Sequence, residues 1–73
     1  MYLAKIDTYY TTYAIADTEA KAKRLALKSA FDWLTERGAE MEEGKPYKTL
    51  KQVEEYLGCA VWKIDPNTAI QEY

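Results

Sequence analysis

Residues 13–22 read Tyr13-Ala14-Ile15-Ala16-Asp17-Thr18-Glu19-Ala20-Lys21-Ala22, and the spacing of apolar side chains changes at their centre. On the upstream side, residues 2–16 alternate and are rich in Tyr, Ile and Thr, with Tyr2, Ala4 and Ile6 on one parity and Tyr13 and Ile15 on another. Period-two patterning of strand-forming residues predicts two strands, about 2–8 and 11–16, paired as a hairpin. Their junction, Thr8-Tyr9-Tyr10-Thr11, has no Gly, Asn or Asp and is a chemically weak turn, so one long bent strand is the alternative. On the downstream side the period becomes helical. Asp17 or Thr18 can accept hydrogen bonds from the open N–H groups of a first turn, and Glu19 suits the positive end of the helix dipole. The helix is expected to reach about Arg37 and to stop at Gly38. At 100° per residue, Ala20, Ala22, Ala26, Leu27, Ala30, Phe31, Trp33 and Leu34 share a broad arc, while Leu25 falls among polar residues. The alanines in the middle of that arc let the helix lie close to a sheet.

Residues 38–48, between Gly38 and Pro46, are expected to form a loop. Thr49-Leu50-Lys51-Gln52 has the spacing of a capping box and opens a short helix facing inward through Leu50, Val53 and Leu57, with Gly58 as its stop. Cys59-Ala60-Val61-Trp62-Lys63-Ile64 alternates as a strand, Asp65-Pro66-Asn67-Thr68 suits a type I turn, and residues 69–73 are expected to return as an edge strand. The predicted fold class is therefore α+β in the order ββααββ. It is a four-stranded antiparallel sheet with two helices packed on one face, in one domain spanning residues 1–73. Trp62, Ile64, Val61, Leu34, Leu27 and Val53 are expected in the core, although Val61 and Trp62 make both parities of their strand apolar.

Composition limits what such a domain can do. A chain of 73 residues buries only about 60–65% of its unfolded surface. A large cofactor pocket or deep cleft is not expected. Histidine is absent, and a single cysteine, Cys59, allows no internal disulfide and suits a reducing cytoplasm. The common structural zinc sites cannot be assembled from this set, and Glu40, Glu42 and Glu43 lack the spacing of a calcium loop. Nucleophiles such as Cys59 and Ser29 have no histidine to activate them, and the glycines stand singly rather than as a phosphate-binding loop. We expect no enzyme, no cofactor and no metal. The start of the chain lacks the pattern of a signal peptide, and no apolar run is long enough to span a membrane. Residues 1–37 carry six basic and five acidic groups, net +1, and residues 38–73 carry four and seven, net −3. No basic stripe offers a hold on a phosphate backbone, so direct nucleic-acid binding is not expected.

Two features point instead to a protein partner. There are seven tyrosines, three of them (Tyr9, Tyr10 and Tyr13) close together in the first hairpin. Strand propensity accounts for some of them, but neighbours Tyr9 and Tyr10 cannot both face a core in a regular strand. Exposed tyrosines are rigid, amphipathic anchors. The acidic stretch Glu40-Met41-Glu42-Glu43 would complement a basic protein surface, with Met41 as an adaptable apolar contact. Tyr9, Tyr10, Tyr13, Glu40, Glu42 and Glu43 are thus the candidate partner-binding residues. A small nucleic-acid-binding or regulatory domain, or an oligomeric structural subunit, is the alternative.

The arrangement resembles the small phage- and plasmid-encoded inhibitors of bacterial defence, above all anti-CRISPR proteins. The likeness lies in a strand pair leading through Ala16-Asp17-Thr18-Glu19-Ala20-Lys21-Ala22-Lys23-Arg24-Leu25-Ala26 into an alanine-rich helix, with a closing hairpin, in one small acidic chain. The resemblance implies a stoichiometric inhibitor, acting in a bacterial cytoplasm, that occupies a basic or subunit surface of a host nucleic-acid-targeting complex.

Overall fold

The computed structural model describes residues 1–8, 11–42 and 44–65. In chain order the elements are β1 (Tyr2–Asp7), β2 (Thr11–Ala16), α1 (Glu19–Glu36), β3 (Glu40–Glu42), β4 (Lys45–Pro46), α2 (Leu50–Leu57) and β5 (Ala60–Lys63). The fold is α+β with antiparallel pairing, as expected, but the sheets differ from the expected four-stranded one. β1 is the central strand of a three-stranded sheet ordered β2-β1-β5, and β3 and β4 form a separate two-stranded sheet. The expected edge strand at 69–73 lies outside the described residues.

Both helix starts follow from cap chemistry. The Thr18 hydroxyl accepts from the Lys21 N–H at 3.2 Å, and Thr49 and Gln52 form the capping box read from sequence. The end of α1 is closed by paired bonds. The Ala39 N–H donates to the Leu34 carbonyl at 2.9 Å and the Gly38 N–H to that of Thr35 at 3.1 Å, with Gly38 at φ 70°. This is the Schellman arrangement, and its left-handed residue is the reason a glycine stands there.

The core lies between α1 and one face of the larger sheet. Ala22, Ala26 and Ala30, all fully buried, form a stripe four residues apart that brings the helix close to Ala4 and Ile6 of the central strand. Leu27 and Leu34 flank the stripe. α2 packs against α1 through buried Val53, with a Lys23–Glu54 ion pair between the helices. Leu27, Leu34 and Val53 are therefore core residues, as expected, and Leu25 is exposed.

Two further expectations are corrected. The 38–48 segment contains the β3–β4 hairpin instead of being only a loop. Tyr47, 5% exposed, anchors one end of it, Ala39 and Met41 pack partly on the core, and Gly44 at φ 78° supplies the left-handed turn residue. The second correction is Trp62. It lies opposite Leu3 in the β1–β5 ladder, whereas Val61 lies opposite Ala4. Since alternate residues face opposite sides, the core side goes to Val61, which packs there half-buried, and Trp62 is exposed. Ile64 shares the parity of Trp62, is half-buried, and donates its N–H to the Met1 carbonyl at 2.8 Å. No described helix is long and apolar enough to cross a membrane.

Candidate functional site

The face of the three-stranded sheet turned away from α1 is set by register. Leu3 is opposite Ile15 on one side and Trp62 on the other, and Lys5 is opposite Tyr13 and Ala60. All these side chains share one face. Leu3, at its centre, is buried yet stands apart from the helix-side cluster. Around it Met1 is 59% exposed, Ile15 56%, Tyr13 47% and Trp62 42%. Strand propensity explains why β-branched and aromatic residues occur here, but a strand with a solvated face ordinarily places polar residues on that side. Full burial of an aliphatic side chain of this size is worth about 1.5–3 kcal/mol, and about half of that remains unclaimed at Ile15.

This face runs to the end of β1 at Asp7. There the Lys5 ammonium lies 3.8 Å from Asp7 Oδ1, which also accepts from the Thr11 hydroxyl at 3.2 Å. Two hollows adjoin at this point. One, of about 450 Å³, is bordered by Lys5, Asp7, Leu57, Cys59 and Trp62. The other, of about 330 Å³, lies between Asp7, Leu34, Glu40, Tyr47, Tyr56 and Leu57. They share Asp7 and Leu57, so the aromatic sheet face continues around the strand end into an acidic groove.

The sequence-predicted site residues divide accordingly. Tyr13 stands on the outer sheet face, across from Lys5. Glu40 borders the smaller groove, where its Oε2 accepts the Gly44 N–H at 2.8 Å. The two occupy different parts of the surface, and Tyr13 borders neither hollow. Glu42 is placed by its backbone in β3. Tyr9, Tyr10 and Glu43 lie outside the described residues. Sequence reasoning missed Trp62, Ile15, Asp7 and Tyr56 as surface contributors. The signal for Trp62 is its parity against Val61, which becomes decisive only once the strand has a partner.

Cys59 is half-buried, and burial pushes its thiol above the ordinary range, partly offset by the charge of Lys23 and a backbone hydrogen bond from Lys5. Such a thiol is mostly protonated near neutral pH and is a weak nucleophile. Among the described residues no group of three or more His, Cys, Asp or Glu could hold a metal ion. Comparison with known proteins finds no matching family model, no matching curated protein and no matching solved structure.

Proposed function

We propose that this chain is a non-enzymatic protein-binding module that docks through the outer face of its three-stranded sheet. The observation that carries this reading is the row Ile15–Leu3–Trp62, apolar on the side of the sheet turned away from α1, where Ile15 and Trp62 are exposed. Aromatic anchors surrounded by a few polar groups are the usual composition of a binding hot spot, and Trp62 and Tyr13 supply them. The absence of histidine and the protonated Cys59 thiol favour binding over catalysis.

The resemblance to phage-encoded inhibitors of bacterial defence supplies the class of partner. It would be a basic or subunit surface of a nucleic-acid-targeting complex, met by the carboxylates at the Asp7 and Glu40 end. Binding would be stoichiometric, with affinity coming from buried aromatics and encounter speed from charge.

The test compares wild type with Trp62→Ser and Ile15→Ser for binding to purified host nucleic-acid-targeting complexes. Retained folding with binding weakened at least about tenfold supports the site. Undiminished binding by both variants overturns it. Retention of the protein on heparin at low salt would favour the alternative, a nucleic-acid-binding domain with bases stacked on Tyr13 and Trp62 beside Lys5. Elution as a dimer that Trp62→Ser dissociates would make the face a self-association surface.

A further inference from the structure

The groove bordered by Glu40, Tyr47 and Tyr56 lies round the strand end from the apolar row and has a different chemistry. Tyr47 and Tyr56 meet edge to face, with centroids 6.1 Å apart and planes at 67°. An edge-to-face pair leaves the faces of the ring that offers its edge uncovered by its partner. Tyr47 is almost wholly buried, whereas Tyr56 is 54% exposed. Leu34 and Leu57 contribute apolar lining, and among the described residues the charged side chains on the border are carboxylates, those of Asp7 and Glu40. Its volume, about 330 Å³, is at the lower end for a small-ligand site.

We propose that this groove receives a guanidinium group, the side chain of an arginine on the protein partner. An aromatic wall attracts a cation through the negative face of the ring, and the attraction grows where water is partly excluded. Carboxylates at the rim supply directional acceptors. Guanidinium fits better than ammonium because it is planar, stacks on rings, sheds water more readily and presents paired donors to a carboxylate. Glu40 carries most of the electrostatic part, since Asp7 is already paired with Lys5. The source of the arginine rests on the protein-binding reading above; the affinity of the groove for a guanidinium does not.

The experiment titrates the 15N-labelled protein with Nα-acetyl-arginine amide, and in parallel with the matching citrulline and lysine amides. Citrulline keeps the shape and removes the charge, whereas lysine keeps the charge and removes the plane. The expected result is saturable shifts at Glu40, Gly44, Tyr47 and Tyr56 with arginine, weaker binding with lysine and little with citrulline. Tyr56→Ala and Glu40→Gln should each weaken arginine binding about 2–5-fold, the weight of one exposed cation–π or ion contact. Glutamine at 40 can still accept the Gly44 N–H, so that variant removes the charge and keeps the hairpin turn. Trp62→Ser should leave arginine binding unchanged, which separates this groove from the sheet face. Equal binding of citrulline and arginine, or shifts confined to other residues, or no shift at about 100 mM arginine amide, overturns the proposal.

Discussion

Trp62 stands directly across the β1–β5 ladder from Leu3, and that pairing turns its ring away from α1. A tryptophan in a short apolar strand would ordinarily be a core residue. Here its removal should cost little stability. Trp62→Ser is expected to lower the unfolding free energy by less than about 1 kcal/mol, the range of surface substitutions away from special features. Chemical denaturation checks this, and a loss comparable to that of a core truncation would mean that the ring is covered in solution.

Leu34→Ala and Ile6→Ala provide the contrast. Both residues are buried in the cluster between α1 and the sheet, at 4% and 1% exposure. Each truncation should cost about 2–5 kcal/mol. A small domain has a total stability of about 4–11 kcal/mol, so either variant should have a much lower denaturation midpoint.

The alanine stripe makes the opposite prediction about size. Ala22, Ala26 and Ala30 have no exposed surface and set how closely α1 approaches β1. Ala26→Leu adds volume where the interface has none to give, and should destabilise by about 1–3 kcal/mol. Ala20→Leu, at an exposed position of the same helix, should be nearly neutral in the same assay.

These contrasts mark how far the sequence could be read. Helix starts and stops were legible because their causes are local: Thr18, Thr49 with Gln52, Gly38 and Gly58 each act within a few residues of themselves. The side of the sheet taken by Trp62 was not legible, because Val61 and Trp62 are both apolar and the choice between them is made by β1, far away in the chain. The β3–β4 hairpin was hidden by its charge. Glutamates are poor strand formers, and what holds the hairpin, the burial of Tyr47, is a tertiary contact. Tyr13 and Glu40 were singled out by residue type alone, and the fold places them on different parts of the surface. Asp7 and Tyr56 were missed because only the folded chain brings the end of β1 beside α2.

Gly38 tests the helix stop by itself. Its φ is 70°, and a Cβ added there would meet nothing within 4 Å. Gly38→Ala should therefore cost only the left-handed conformation, about 1–2 kcal/mol, with no packing loss. Gly38→Asn should cost less, since asparagine tolerates that region better. Equal stability of all three proteins would show that the Schellman bonds at Leu34 and Thr35 are not maintained in solution.

Alkaline pH probes the burial of Cys59. Burial raises the Cys59 thiol above its ordinary value, against partial opposition from Lys23. The folded state thus binds the thiol proton more tightly than the unfolded chain does. By linkage, the contribution of this group to stability is fully present below the ordinary value of an open thiol, about 8.5, and is lost as pH rises through the higher folded value. Tyrosines and lysines titrate in the same region, so the informative quantity is the difference between wild type and Cys59→Ala. That difference should be constant from neutral pH to about pH 8 and then shift against wild type above about pH 9. A gap that stays flat to about pH 10.5 would mean that Cys59 is as well solvated in the fold as in the open chain.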